Sequence, residues 1–352
     1  MNILSNFNIE MDKLSIFTKN KKVDIIQFAV PIIEIIFPLK FSPNRKYDHT
    51  YYFTCLLDFV QKATSWNKYN GCINYPISGK YLNSIHNEYC KRGIYEKINE
   101  ALLNKYLSTN KEKKLKVQSI DASFIPNKQG IHNLNDIPEY MKNNKKKQNK
   151  SKNNKNKQNK SKNNKNEKNK SKNNKNEKNK YENNVNNNLI QFNRYNGRKK
   201  YFKISSVVDK FGTPLGSTII TGKGNEMNSV EETIKSIKVN LNTKKNSTHN
   251  RYKQFLLADS GYLSNKNINI LKKIGYTPIM AYNKRNTKDE RIIKKNIKTS
   301  QQKKIYKNRI IVESFFAWIK QYPVINQNYQ KTVVSYKGLL SIASSILISK
   351  RI

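Results

Sequence analysis

Apolar residues recur at helical spacing in the first third of the chain. Segments 51–63 and 94–107 each place apolar side chains three or four positions apart, as one face of an amphipathic helix requires. The positions are Tyr52, Leu56, Phe59 and Val60 in the first segment, and Ile98, Leu102 and Leu103 in the second. We therefore predict a small helical module over residues 1–109.

The apolar period changes to two beyond residue 110, which predicts β-strands. Three strand-like runs come first, and the second and third form a predicted hairpin through Asp209–Gly212. After a predicted turn at TGKGNE, helical and strand-like runs alternate. The predicted strands are 115–125, 201–208, 215–221, 255–258 and 276–280, and the predicted helices are 229–237, 268–274, 305–320 and 336–349. This order is that of a ribonuclease H-like domain, so we predict an α/β fold, a mixed sheet flanked by helices, over residues 110–352.

A low-complexity tract over residues 142–188 interrupts this domain. It consists almost entirely of Lys and Asn, and the string NKSKNNKN recurs in it with a period of ten residues. Because the repeats hold no apolar residue, nothing offsets the entropy cost of ordering them, and we predict a disordered insertion. Expansion in an AT-rich genome explains such a tract, and so does selection for DNA tethering or nuclear targeting.

The chain is strongly basic. It has 68 Lys and Arg against 24 Asp and Glu, a formal net charge of +44. Residues 142–184 hold 17 Lys and 3 Glu, a net charge of +14, which leaves about +30 for the remainder. A chain this basic indicates a polyanionic partner, and nucleic acid is the first hypothesis.

The sequence does not indicate membrane insertion or secretion. The longest apolar run, residues 25–37, is interrupted by Gln27, Pro31 and Glu34 and falls short of the roughly 18 residues that span a bilayer. The three cysteines form no CxxC pair and are odd in number, which argues against a disulfide framework and a zinc ribbon. We expect an intracellular protein with reduced, mostly buried thiols. Its compartment would be the cytoplasm in a prokaryote, and the nucleus or a viral factory in a eukaryote or virus.

Two aspartates stand in or next to strand-like segments. Asp121 lies inside VQSIDASFI, where a carboxylate in a core strand costs free energy unless a partner compensates its charge. Asp259 ends FLLAD, and ligands commonly bind at the carboxyl ends of strands in α/β sheets. Each aspartate alone is more typical of a turn or a cap. Asp209 illustrates that simpler interpretation, because it precedes a tight turn with Gly212.

The segment YKNRIIVESFFAWIK carries a narrow charged stripe. On one continuous helix, the stripe falls within an arc of roughly 60°, and most other positions are apolar. Its members are Tyr306, Arg309, Glu313 and Lys320. An i,i+4 ion pair between Arg309 and Glu313 would explain two of these four side chains. A phosphate-handling site explains all four, because the carboxylate holds a divalent metal while the cations and the hydroxyl contact phosphate oxygens.

Three carboxylates could therefore meet, from two strands and one helix. Asp121, Asp259 and Glu313 would offer hard oxygen ligands in basic surroundings, and such ligands suit Mg²⁺ or Mn²⁺. Two such ions about 3.5–4 Å apart can activate an attacking oxygen and stabilise the leaving oxygen at phosphorus. This chemistry cleaves phosphodiester bonds in nucleic acid.

These segments resemble the DDE transposases of the insertion-sequence four and five families. YKNRIIVESFFAWIK contains the signature Tyr-x2-Arg-x3-Glu-x6-Lys of those families at every specified position. SIDASFIPNKQG resembles the segment with the first catalytic Asp, FLLADSGY the segment with the second, and residues 197–226 the second and third strands. The resemblance covers most of residues 39–350 apart from the Lys/Asn tract. After Lys320 the chain departs from the pattern, because QYPVINQNYQK lacks the usual further basic residues.

The resemblance implies a cut-and-paste DNA transposase that uses Mg²⁺ or Mn²⁺, with two bound ions. The helical module would recognise the ends of the element, and a homo-oligomer would form the active complex on DNA. The implied roles are metal ligation and catalysis for Asp121, Asp259 and Glu313, and DNA binding for Tyr306, Arg309 and Lys320.

Two other functions stay open. A related metal-dependent nuclease would cleave DNA without strand transfer. A domesticated or inactive transposase-derived protein would use only its positive charge to bind DNA, although drift gives no reason for the triad and the signature to persist. Inverted repeats bounding the coding region would favour a mobile element.

Overall fold

The computed structural model describes residues 24–38, 47–72, 75–109, 111–128, 191–192, 200–222, 225–240, 254–281 and 299–352. The predicted Lys/Asn insertion lies outside these residues. Within them, no helix combines the length and apolar character that crossing a membrane would need. The three cysteines are free thiols; Cys55 is buried, and Cys72 and Cys90 are half-buried.

Helices dominate the amino-terminal part of the described chain. They are α1 (Ile25–Ile36), α2 (His49–Lys62), α3 (Gly79–Lys91) and α4 (Ile94–Leu107), followed by the short α5 (Lys111–Leu115). A small hairpin of β1 (Gly71–Cys72) and β2 (Tyr75–Pro76) lies between α2 and α3. Side-chain caps start α2 and α3: Asp48 accepts a hydrogen bond from the Tyr51 amide, and Ser78 accepts one from the Tyr81 amide. The helices predicted at 51–63 and 94–107 are confirmed.

A mixed β-sheet follows the helices. The sheet consists of β3 (Val117–Pro126), β4 (Gln191–Phe192), β5 (Lys200–Asp209), β6 (Pro214–Thr221), β7 (Gln254–Ala258) and β8 (Tyr276–Met280). β5 pairs antiparallel with β3, β4 and β6, whereas β7 runs parallel to both β3 and β8. The sheet order is therefore β5–β3–β7–β8, with β4 and β6 added on β5.

Helices between and after the strands cover the sheet. They are α6 (Val230–Lys235), α7 (Asn265–Ile274), α8 (Ser300–Tyr306), α9 (Ile311–Ile319), α10 (Pro323–Asn326) and α11 (Val333–Ser349). Short 3₁₀ turns precede α6, α7 and α9, at Glu226–Ser229, Ser260–Tyr262 and Lys307–Ile310. An antiparallel three-strand unit joined to two parallel strands through helices is the ribonuclease H-like arrangement, so the predicted fold class is confirmed.

The predicted helix over residues 305–320 is wrong in one respect, because it is broken. α8 ends at Tyr306, a 3₁₀ turn spans Lys307–Ile310, and α9 starts at Ile311. A 3₁₀ turn advances about 120° per residue instead of 100°, so the turn rotates Tyr306 by roughly 80° relative to α9. The arc of roughly 60° expected for one continuous helix therefore does not apply to Tyr306, which lies before the 3₁₀ turn.

The helical module and the sheet share one hydrophobic core. The last helix, α11, is buried along most of its length and packs against α3 and α4. At Gly338 of α11, an added Cβ would lie 2.5 Å from the Cys90 sulfur and 3.0 Å from His86, so only glycine permits this approach. Burial lowers the pKa of His86 to about 4, and its Nε2 lies 3.0 Å from the Ser335 carbonyl oxygen. A neutral imidazole thus links α3 to the start of α11.

Asp209 confirms the predicted turn and also connects the two parts of the fold. Its Oδ1 accepts hydrogen bonds from the amides of Phe211 (2.9 Å) and Thr213 (2.8 Å), and Gly212 has φ 78°. Its Oδ2 accepts a hydrogen bond of 2.7 Å from the Tyr106 hydroxyl of α4. Asp209 is fully buried, and this burial raises its pKa. The β5–β6 hairpin is therefore anchored to the helical module through one buried carboxylate.

We predict that Tyr106→Phe lowers the free energy of unfolding by about 1–3 kcal/mol, because it leaves a buried carboxylate oxygen without its hydroxyl donor. Chemical denaturation measures the change. Tyr81→Phe is the matched control. The Tyr81 hydroxyl forms a hydrogen bond of 3.0 Å with the Tyr52 hydroxyl, but Tyr81 is 44% exposed. Water can replace that bond, so the control should change stability by less than about 0.5 kcal/mol. Equal losses in both variants would show that Asp209 has no special role.

Candidate active site

Asp121 and Asp259 are brought side by side by the parallel pairing of β3 and β7. Ser119 of β3 is in register with Leu257 of β7. The pairing ends there, and each aspartate follows two residues later: Asp121 within β3, and Asp259 directly after the end of β7. Because neighbouring strands lie roughly 4.8 Å apart, this places the two residues close together, and the charge of Asp259 acts on Asp121. The two aspartates predicted from different segments therefore meet at the carboxyl end of β7.

Each of these carboxylates uses one oxygen locally and keeps the other for a ligand. Asp121 Oδ1 accepts a hydrogen bond of 2.8 Å from the Ala122 amide, and Asp259 Oδ1 accepts one of 2.7 Å from the Ser260 amide. Within the described part of the chain, neither aspartate forms an ion pair with a Lys or Arg side chain. Adjacent carboxylates with free oxygen lone pairs are a donor set that suits a hard divalent cation.

The Asp121 carboxyl has a perturbed acidity. Burial raises its pKa to about 6, and the charges of Glu226 and Asp259 act in the same direction. The Ala122 amide and the Arg309 guanidinium oppose this rise. A carboxylate that is disfavoured in the free protein gains free energy when a cation neutralises it, so the site is arranged to attract positive charge.

Two contacts attach the α8–α9 segment to the aspartate edge. The Tyr306 hydroxyl donates a hydrogen bond of 3.2 Å to the carbonyl oxygen of Ala258, the residue before Asp259. The Ser119 hydroxyl of β3 approaches the Asn308 carbonyl oxygen at 3.4 Å. Tyr306 therefore lies next to the aspartates, as the sequence predicts, and the 3₁₀ turn rests on β3.

Lys320 also reaches β3. Its Nζ donates a hydrogen bond of 2.7 Å to the Ser123 hydroxyl. Because side chains alternate along a strand, Ser123 and Asp121 point to the same face of the sheet. Burial lowers the pKa of Lys320. A neutral hydroxyl thus holds the ammonium group close to the aspartates, where a phosphate oxygen would be a better partner because it is charged.

Glu313 is the site residue that the structure does not bring to the aspartates. Its Oε1 lies 3.2 Å from Arg309 Nη2, and its side chain is 50% exposed. Among the described residues, no three His, Cys, Asp or Glu side chains converge closely enough to hold a metal ion. The i,i+4 ion pair considered as the simpler alternative is therefore formed, and the two aspartates meet without the glutamate.

Glu226, a carboxylate close to the site, is not evident from the sequence pattern. It belongs to TGKGNE, which predicts only a turn, and it starts the 3₁₀ turn after β6. Its charge raises the pKa of both Asp121 and Tyr262. The sequence signal that could have found it is an acidic residue in the turn that follows the third predicted strand.

The sheet order and the paired aspartates define a ribonuclease H-like domain with a candidate phosphoryl-transfer site. Residues 112–348 match the family model described as the transposase DDE domain, so the chain belongs to that family. No curated protein and no solved structure matches the chain. Membership implies nuclease or transposase chemistry, with DNA as the partner and divalent metals as the cofactor class.

We predict that Asp121→Asn stabilises the metal-free protein at pH 8 and not at pH 4. Because the pKa of Asp121 is higher in the folded protein than in the unfolded chain, the folded state binds more protons between about pH 4 and 6. Its stability therefore falls as pH rises through about 6. After allowance for solvent screening, the variant should gain on the order of 2 kcal/mol at pH 8.

Urea unfolding of both proteins in EDTA, at several pH values, measures this difference. Titration of other groups, including His86, is common to both proteins and cancels. A stability difference that is independent of pH would contradict the raised pKa.

Proposed function

We propose that the chain is a DNA transposase of the insertion-sequence four/five type. It would cleave and join DNA strands in an active site formed by Asp121, Asp259 and Glu313. The observation that carries the proposal is the position of Asp121 and Asp259, each two residues beyond the last paired residues of the parallel strands β3 and β7, in a chain of the transposase DDE domain family. Among the residues that the structure describes, no basic side chain forms an ion pair with either aspartate, although Arg309 and Lys320 lie on the same side of the site. A purely structural role would favour direct ion pairs instead.

Asp121 and Asp259 would hold the metal first, and Glu313 would complete the ligand set. When bound, Mg²⁺ or Mn²⁺, two ions in this proposal, would activate the attacking oxygen and stabilise the leaving oxygen at phosphorus. The chain's own basic residues would orient the DNA. Lys320 would exchange the Ser123 hydroxyl for a phosphate oxygen, and Tyr306 would support the same strand from the end of β7.

Arg309 links DNA binding to the position of Glu313. In the free protein the guanidinium is engaged by Glu313 on the next turn. A DNA phosphate carries the same single negative charge and offers two oxygens for bidentate pairing, so phosphates of bound DNA would compete with this half-exposed carboxylate for Arg309. Release of Glu313 would let it turn toward the aspartates. DNA would thereby help to assemble the site that cleaves it.

The rest of the chain fits this role in outline. We propose that the helical module, residues 1–109, recognises the ends of the element and that residues 110–352 form the catalytic domain. The active complex would be a homo-oligomer on DNA. The net charge of +44 gives the chain a strong attraction to DNA at any sequence.

The second candidate is a transposase-derived protein that binds DNA without cleaving it. The observation that favours it is the Arg309–Glu313 ion pair, which leaves the two aspartates without a third ligand. Both candidates predict DNA binding, and only the first predicts cleavage that depends on Glu313.

We predict that Glu313→Gln reduces DNA cleavage by at least roughly 100-fold, because it removes a metal ligand. DNA binding should hold or tighten slightly, because one negative charge is lost. Lys320→Ala should weaken binding of the cleaved end through loss of a phosphate contact. Gel-shift binding and cleavage assays on the same DNA separate the two effects.

Glu88→Gln is the matched control. Glu88 is another half-exposed helical glutamate that pairs with basic residues of its own helix, Lys91 and Arg92. It should leave both binding and cleavage unchanged. If the Arg309–Glu313 pair were only structural, Glu313→Gln and Arg309→Ala would cost a few tenths of a kcal/mol and leave activity intact.

A further inference from the structure

The turn that carries Glu226 is attached to the turn that carries Asp259. The side-chain amide of Asn267, on α7, donates hydrogen bonds of 2.9 Å to the carbonyl oxygens of Met227 and Tyr262. Met227 follows Glu226, and Tyr262 ends the 3₁₀ turn that Asp259 caps. Asn267 is only 3% exposed, so water does not compete for these bonds. One buried amide therefore fixes the spacing between the two acidic turns.

Glu226 is also held from the sheet side. Its Oε1 lies 3.0 Å from the Nζ of Lys203, a β5 residue whose side chain is 9% exposed. Lys203 is in register with Phe124 of β3, and its Nζ lies 4.8 Å from the centre of the Phe124 ring. Phe124 is three residues beyond Asp121 on the same strand. A buried ammonium thus anchors the glutamate, whose charge acts on the Asp121 carboxyl.

An unsatisfied polar group lies between these elements. The Tyr262 side chain is fully buried, and its hydroxyl makes no hydrogen bond of normal geometry within the described residues, although the Ser205 hydroxyl of β5 lies close to it. Burial raises the pKa of Tyr262, and the charges of Glu226 and Asp121 raise it further. A buried hydroxyl without a partner costs free energy, and a hydrated ion beside the carboxylates would supply one.

We propose that Glu226 is a further carboxylate of the metal site, which helps to bind the divalent ions beside Asp121 and Asp259, with Lys203 and Asn267 as positioning residues. The proposal rests on the function proposed above. It explains how the free protein can collect metal while Glu313 is engaged by Arg309. Glu226 is 28% exposed and anchored on one side by Lys203. Because no three acidic side chains among the described residues converge on one point, Glu226 would act through water bound to the ion.

The partial neutralisation by Lys203 has a consequence for affinity. Three uncompensated carboxylates at this edge would repel one another, raise one another's pKa and lower the free energy of unfolding. With Lys203 in place, Glu226 adds an oxygen donor at a smaller electrostatic cost. Its contribution should therefore resemble that of an outer ligand, which typically changes metal affinity by about 10–100-fold.

Calorimetric titration of Mn²⁺ into the full chain without DNA tests this inference. Glu226→Gln should weaken Mn²⁺ binding by about 10-fold or more. Glu231→Gln is the matched control, because Glu231 lies on the adjacent helix α6, pairs with Lys235 and is 44% exposed. Its affinity should stay within about twofold of the wild type. Unchanged Mn²⁺ affinity in Glu226→Gln would overturn the proposal.

A double variant covers the case in which Glu226→Gln fails to fold, because that change leaves the Lys203 ammonium buried without its partner. Lys203→Met with Glu226→Gln removes both charges, so it should fold and still bind Mn²⁺ about 10-fold more weakly. Wild-type affinity in the folded double variant would also overturn the proposal. A further variant, Asp121→Asn, separates failure of this inference from failure of the proposed function. If it loses Mn²⁺ binding while the Glu226 variants do not, only the present inference fails; if it binds Mn²⁺ normally, the proposed function fails as well.

Discussion

Parallel pairing between β3 and β7 is the constraint on which the candidate site depends. The last registered pair, Ser119 with Leu257, leaves Asp121 and Asp259 each two residues further on, at the same edge of the sheet. Burial raises the pKa of the Asp121 carboxyl to about 6, and the charges of Glu226 and Asp259 add to this rise. The ionised carboxylate lowers the stability of the free protein, and the pairing of the strands holds it in place nevertheless. A bound cation would remove this destabilisation, and that gain would add to the affinity for metal.

The surrounding contacts position cationic groups close to the aspartates without cancelling their charge. Lys320 is bound to the Ser123 hydroxyl, Arg309 to Glu313, and Lys203 to Glu226. Each cation has a partner that a phosphate or a metal-driven rearrangement could replace. The shared core of the helical module and the sheet, with buried links such as Tyr106 to Asp209, gives this arrangement a rigid base.

Local pattern predicted the elements well and their mutual placement only in part. The helix at 94–107 and the strand at 276–280 match the structure to the residue, because apolar spacing and turn residues determine both. The spacing does not predict α1 and α3 individually. The break at Lys307–Ile310 lies where Asn308 contacts Ser119 of β3, a residue far away in sequence. Glu226 was invisible for the same reason, since Asn267 and Lys203 give it its place.

The most direct test of a metal-dependent site at Asp121 and Asp259 is the metal dependence of DNA cleavage. The purified full chain would be incubated with DNA that carries the coding region and its flanking sequences, in Mg²⁺, Mn²⁺, Ca²⁺ or EDTA. We expect cleavage at the element ends with Mg²⁺ or Mn²⁺ and none with Ca²⁺ or EDTA, because the chemistry needs small hard cations in tight geometry. Asp259→Asn should bind the same DNA and leave it intact. Undiminished cleavage in EDTA, or by the Asp259→Asn protein, would contradict the account.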